Sequence, residues 1–337
     1  MKKVKNIWIA VILVLACCTN NNSVKEKTGI QNIDFPYITV PSYIRDNGEA
    51  LRYIVRNFWK PYFKAAAENN SLYKLDSIKF EDAYANYAST LLNMEGSRKF
   101  LDKHESEKYY GYIDASQKML FAKADSLYIA GEKTLLTRLI ALSEKYFYNP
   151  NSPYLSEEVY IPALEAIINL QSLDDAKKMA YQWQLDLARL NRIGTKASDF
   201  EFVYKNGNSL QRGKMHSVKA DYLLLYFNNP DCSACKGQRE LLMSDQIFAQ
   251  MFGEGKIKVL SMYIDEQTDL WEKHRNAVPK SQNWIYARDP HLVLRNNELY
   301  GIRAIPSMYL LDKDKNVILK DATAEMVLQW LLEATQI

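Results

Sequence analysis

At 337 residues the chain exceeds one ordinary domain and predicts about two. Apolar residues at 47% and charged residues at 25% describe a folded globular protein, and twelve Gly with ten Pro exclude a collagen-like or low-complexity one. Of the 43 Lys and Arg, three (Lys2, Lys3, Lys5) sit at the start and leave 40 against 40 acids, so no persistent basic surface for nucleic acid is expected.

The first element is a leader. Lys-Lys-Val-Lys precedes an unbroken apolar run over 7–16, the charge and apolar order of an export signal. The run is shorter than the roughly 20 apolar residues that cross a bilayer. It ends in Val14-Leu15-Ala16-Cys17, which resembles a bacterial lipoprotein processing site. That resemblance implies a signal peptide over 1–16 and a lipidated Cys17. An ordinary signal peptide with two incidental cysteines is the alternative, and Cys18 is a weaker lipid acceptor. Residues 17–36 are polar and aperiodic and predict a flexible tether.

Residues 37–192 predict a helical domain. Leu51, Ile54, Val55, Phe58 and Tyr62 recur at helical spacing, as do Tyr160, Ala163, Leu164 and Ile167. Met179, Ala180, Trp183, Leu187 and Leu190 predict a third buried stripe. Asp114 with Gln117 predicts a capping box opening a helix that Gly131 closes. Sixteen of the 23 tyrosines fall in this half, which predicts a tyrosine-rich core in preference to a binding groove.

The pattern changes near Gly194. Phe200–Tyr204 followed by Asn206-Gly207 reads as a strand entering a tight hairpin. The continuous apolar run 222–227 has the length of a buried strand. Further strands are expected at 256–264, 307–311 and 316–319. Helices are expected between them, one carrying Leu241, Phe248, Met251 and Phe252 on a single face, another Met326, Val327, Trp330, Leu331 and Ala334. The reading is two domains: an N-terminal all-α helical domain and, over 193–337, a C-terminal α/β domain whose central sheet is covered by helices on both faces.

Of four cysteines, only Cys232 and Cys235 lie in the globular part, spaced Cys-Ser-Ala-Cys. A structural zinc site needs four ligands, and His104, His216, His274 and His291 are scattered, so no metal is expected. The pair falls between the buried strand and the next helix. Free N–H groups at a helix start favour a thiolate, and the spacing puts both sulfurs on one turn. Cys232 projects outward and is expected to attack; Cys235 faces the helix interior near Leu242 and is expected to resolve. A purely structural disulfide is the alternative.

Two stretches carry a family resemblance. Leu224-Leu-Tyr-Phe-Asn-Asn-Pro-Asp-Cys-Ser-Ala-Cys-Lys and Tyr300-Gly-Ile-Arg-Ala-Ile-Pro-Ser-Met-Tyr-Leu-Leu-Asp resemble the thioredoxin fold at its CxxC and cis-proline segments. The resemblance implies that Ile305-Pro306 is cis and receives a substrate segment like an added strand. Room for an inserted helix and strand (267–276 and 284–287) is similar to the TlpA/ResA branch of exported thiol oxidoreductases. Gly194-Thr-Lys-Ala-Ser-Asp-Phe is similar to the start of that branch and of the AhpC/TSA antioxidant group. The helical half, through Asn57-Phe-Trp and 146–162, resembles an uncharacterised domain that precedes thioredoxin modules in lipoproteins of Bacteroides-like bacteria. The chain departs from thioredoxin at Asp231, which disfavours a neighbouring thiolate, and at Tyr226, which replaces a buried acid; Glu240 is a candidate substitute.

The expected function is a membrane-anchored thiol-disulfide oxidoreductase acting on protein disulfides outside the cytoplasm, with Cys232 and Cys235 catalytic and Ile305 and Pro306 binding substrate. No cofactor beyond the redox disulfide is expected. The expected partners are protein thiols or disulfides, an upstream redox protein and the membrane through its lipid anchor. The location expected is periplasm-facing, on the outer membrane by preference. A non-catalytic binding lipoprotein with a thioredoxin-like scaffold is the alternative. A thiol peroxidase is a weaker one, because Leu225 and Asn229 stand where Pro and Thr of a peroxidatic motif would be.

Overall fold

The computed structural model describes residues 34–70, 76–98 and 101–335. The export segment, Cys17 and the tether as far as residue 33 lie outside the described residues. Seven helices come first: α1 (Asn47–Asn57), α2 (Lys60–Glu68), α3 (Ser77–Ser97), α4 (Lys103–Ile129), α5 (Thr134–Ser143), α6 (Glu157–Ile168) and α7 (Asp175–Arg189). A π-helical turn, Glu144–Tyr148, extends α5. Short polar side chains start five of them. Asp46, Asp76, Asp102, Ser156 and Asp174 each accept a first-turn N–H that has no partner inside its helix.

The core of this half is aromatic. Trp59, Tyr62, Phe80, Tyr84 and Tyr87 are buried at 1% exposure or less. The buried hydroxyls find partners: Tyr84 and Ser143 lie 2.7 Å apart and Tyr87 and Ser116 2.8 Å, while Ser116 donates to the Val55 carbonyl. The tyrosines therefore serve packing, as expected. Phe35, expected in the tether, joins this core and stacks on Tyr62 with 5.2 Å between ring centroids.

Three local expectations are corrected. Asp114 does not cap a helix; α4 already begins after Asp102, and Asp114 lies within it, 2.8 Å from Lys118 Nζ. Gln117 is buried in the same helix. Gly131 does end α4, with a positive φ of 105° that suits glycine. The stripe assigned to α7 is not its buried face: Leu185 and Ala188 are buried, whereas Met179 and Trp183 are 73% and 50% exposed. The helix carries two apolar stripes, and only packing against α6 selects between them. The single helix expected to carry Leu241 and Phe248 is two, separated at Asp245, whose side chain caps the second.

The second half comprises β1 (Glu201–Asn206), β2 (Ser209–Lys214), β3 (Tyr222–Asn228), α8 (Ser233–Ser244), α9 (Gln246–Gly253), β4 (Ile257–Tyr263), α10 (Thr268–His274), β5 (Trp284–Arg288), α11 (Val293–Asn296), β6 (Ser307–Asp312), β7 (Val317–Ala322) and α12 (Ala324–Thr335). They form one seven-stranded sheet ordered β2-β1-β5-β4-β3-β6-β7. Strands β3, β4 and β5 run parallel, and β1, β2, β6 and β7 pair antiparallel to their neighbours. Side chains alternate between two cores. Leu224 and Tyr226 of β3 face the side covered by α8, α9, α10 and α12, while Leu223, Leu225 and Phe227 face α11 and the segments around Phe200 and Tyr300.

The passage from helices to sheet is paired backbone. The Gly194 and Ala197 N–H groups donate to Val317 and Lys315 carbonyls, and Val317 N–H donates to Thr195. Buried Asn191 donates to the Leu299 carbonyl at 2.9 Å and accepts the Ser198 N–H at 2.8 Å.

The two capping assignments for α4 separate in unfolding experiments. Asp102→Ala is expected to lower stability by about 1 kcal/mol in urea unfolding. Asp114→Ala should cost less than about 0.5 kcal/mol, because it removes only an exposed ion pair. The reverse order would place the helix start at Asp114 after all.

Candidate active site

Strand β3 ends at Asn228, and the turn that follows is braced by its own side chains. Asn228 Nδ2 donates to the Tyr226 carbonyl and to Ser261 Oγ, both at 2.8 Å. The Asn229 carbonyl accepts the Cys232 N–H at 3.1 Å, and the Asn229 side chain accepts the Asp231 N–H at 3.2 Å and donates to Asp265. Cys232 is the N-cap of α8, and its sulfur accepts the Cys235 N–H at 3.0 Å. The two cysteines form a disulfide with their Cα atoms 5.2 Å apart. Cys232 is partly exposed, whereas Cys235 is 3% exposed and packs in the core with Leu242.

The second expected segment lies at the same end of the sheet. Strand β6 runs antiparallel to β3, and Ser307 pairs with Phe227, five residues ahead of Cys232. Ile305-Pro306 is a cis peptide, and Ile305 and Cys232 border one core cluster. The topology thus brings Cys232, Cys235, Ile305 and Pro306 together; Cys17 is outside the described residues. Ser307 Oγ donates to Asp321 at 2.8 Å, and Arg303 lies 2.9 Å from the other oxygen of that carboxylate.

Two ion pairs flank Cys232. His274, at the end of α10, places Nε2 3.2 Å from Asp231 and Nδ1 3.0 Å from the Leu270 carbonyl. Both ring nitrogens therefore have an oxygen acceptor within reach. Lys236 lies 3.7 Å from Glu240, and both are exposed. Glu240 therefore does not occupy the buried position of the missing acid. Tyr226 occupies it: its hydroxyl donates to the Cys235 carbonyl, and burial pushes that hydroxyl well above its ordinary range against a smaller downward pull from Arg239. Such a group is no proton acceptor at neutral pH.

Sequence reading missed His274, Arg303 and Asp321, since none stands at a fixed spacing from the cysteines. The only available signal was the position of Arg303, three residues before the proline. Among the described residues no group of three or more His, Cys, Asp or Glu side chains could hold a metal, and no helix is long and apolar enough to cross a membrane.

The family described as a domain of unknown function, DUF5106, matches residues 16–191, just over half of the chain. A thioredoxin-like protein from Bacteroides caccae is similar over 89% of this chain and 98% of its own, at 30% identity and a TM-score of 0.74. The C-terminal domain of an uncharacterized protein from Bacteroides fragilis is 43% identical over 42% of this chain and 98% of its own, with a TM-score of 0.39. The thioredoxin domain of a thiol-disulfide oxidoreductase from Bacteroides vulgatus is 16% identical over 42% and 97%, with a TM-score of 0.36. Among curated proteins no match was found. The chain belongs to the DUF5106 family and is a thioredoxin-like protein.

The Asp231–His274 pair is testable in the reduced protein. His274→Gln is expected to slow alkylation of Cys232 by iodoacetamide near neutral pH, by at most about fivefold, the scale of an exposed ion pair. Asp231→Asn should not slow it, and the double variant should return toward the wild-type rate. Equal slowing by His274→Gln with and without Asp231 would show that the pair is not the cause.

Proposed function

We propose that this protein is a membrane-anchored thiol-disulfide oxidoreductase of the TlpA/ResA type, acting on protein disulfides on the periplasmic side of a membrane. The observation that carries the reading is the Cys232–Cys235 disulfide across the first turn of α8, with one sulfur accessible and the other buried. A structural disulfide has no need of this asymmetry. A two-step exchange does.

In the reduced protein the start of α8 and the Cys235 N–H stabilise negative charge on Cys232. The Cys232 thiolate attacks one sulfur of a substrate disulfide. The substrate S–S bond breaks, and the departing sulfur takes a proton from solvent. Cys235 then attacks Cys232 Sγ, closing the internal disulfide; the second substrate sulfur leaves and takes the proton that Cys235 gives up. Two electrons pass to the substrate, and an upstream dithiol protein returns them. The reverse sequence oxidises a substrate dithiol. No further cofactor enters the cycle.

The backbone beside the half-buried Pro306 is the place for the substrate segment in this reading, since β6 begins there at the same sheet end as Cys232. Anchoring rests on Val14-Leu15-Ala16-Cys17 after a short apolar run. In this proposal the segment from Cys17 up to the start of the core at Phe35 carries the domains away from the lipid, with the outer membrane as the proposed surface.

Two experiments test the proposal. Expressed in cells, Cys235→Ser is expected to accumulate DTT-sensitive adducts with its natural partners, while Cys232→Ser accumulates far fewer and loses insulin-disulfide reduction. Non-reducing gels and mass spectrometry of the bands read both, and equal trapping by the two variants would reverse or remove the assigned roles. For the anchor, labelled palmitate should enter the wild type and not Cys17→Ser; full labelling of that variant would move the lipid to Cys18.

A further inference from the structure

We infer that the helical half is a working part of the substrate site: through Glu157 and Tyr148 it holds Arg303, and with it the 303–306 loop, in the form that receives a protein disulfide. The inference deepens the oxidoreductase reading and rests on it for the substrate. Arg303 and Pro306 belong to one short loop, and Arg303 points away from solvent, its side chain 13% exposed. Its guanidinium carbon lies 4.4 Å from the centre of the Tyr148 ring, and it donates to the Tyr148 carbonyl. The same group lies 3.2 Å from Glu157 and 2.9 Å from Asp321. Asp321 also accepts from Ser307, on the far side of the proline. Both flanks of Ile305-Pro306 are therefore tied to one carboxylate, and one flank is tied to the helical half.

The anchors on that half are helix ends. Glu157 is the first residue of α6, where a negative charge is favoured. Lys320 lies 2.5 Å from Glu157 and donates to the Ala188 and Leu190 carbonyls at the end of α7. Glu157, Asp321, Arg303 and Lys320 carry two charges of each sign, and no side chain among them is more than 14% exposed. Buried, balanced charges of this kind hold one geometry, because moving any member strands the rest. A fastening of the two halves alone would not need a member on the proline loop. Arg303 makes that loop part of the cluster.

The test uses the full chain with Glu157→Gln and Tyr148→Leu. The second variant leaves all four charges in place and serves if the first does not fold. Hydrogen exchange by mass spectrometry should speed up about tenfold or more over 301–308 while peptides from α8 keep the wild-type rate, as expected for local loosening. With insulin as the protein-disulfide substrate, KM should rise by about fivefold with kcat within about twofold, the signature of lost binding rather than lost chemistry. The reduction potential of the cysteine pair should not move. Unchanged exchange over 301–308 in a folded variant overturns the inference, as does a fall in kcat at constant KM. A wild type inert toward protein disulfides overturns the enzymatic reading and the substrate role together, whereas the exchange result alone decides whether the helical half holds the loop.

Discussion

Strand β3 is buried on both faces, with Leu224 and Tyr226 in one core and Leu223, Leu225 and Phe227 in the other. A slip of one residue would exchange the two sets, so its register is strongly determined. Its neighbours inherit that register: β4 in parallel and β6 antiparallel, with Ser307 opposite Phe227. The end of β3 therefore sets where α8 can begin and where the proline loop must turn. Cys232 and Pro306 lie at the same end of the sheet because both are fixed to this one strand end.

The electrostatics around Cys232 follow a consistent pattern. Asp231 is answered by His274 and Lys236 by Glu240, so these two flanking charges each have an opposite neighbour. Beside them stands the start of α8, whose Cys235 N–H points at the Cys232 sulfur. Where thioredoxin-like chains can place a carboxylate beneath the second cysteine, Tyr226 fixes the Cys235 carbonyl instead. Its hydroxyl can brace the first turn of α8 but cannot take up a proton at neutral pH. In the exchange proposed above, proton transfer at Cys235 is then left to the substrate sulfur and solvent.

The helical half meets the sheet half through helix ends as well as side chains. The start of α6 contributes Glu157, and the carbonyls at the end of α7 accept from Lys320. Carbonyls at a helix end lack partners within the helix, and here Lys320 of the sheet half satisfies two at the end of α7 while pairing with Glu157 at the start of α6. The paired backbone at 194–197 and the side chain of Asn191 make the passage between halves stiff. A mobile linker at this point would leave Arg303 without its partners.

Much of the architecture is local and could be read directly. Alternating or continuous apolar runs marked β3, β4 and β6, Asn206-Gly207 marked the hairpin, and Cys232 at a strand-to-helix junction marked the site. These features depend on residues a few positions apart, where backbone geometry alone decides what can touch. The misreadings have one origin. Asp114 with Gln117 matched a capping pattern inside a continuing helix, and α7 offered two apolar stripes of which one packs. Local pattern permits such choices, and tertiary packing makes them. The same holds for His274 beside Asp231 and for Arg303 over Tyr148, 155 residues away along the chain. By itself the sequence determined the element types, the placement of the cysteine pair at a strand-to-helix junction and the proline loop, because each is written in short-range spacing. The buried face of α7, the partner of Asp231 and the clamp on Arg303 were decided only by the tertiary structure, because charges and faces distant in sequence acquire partners only when the chain has folded.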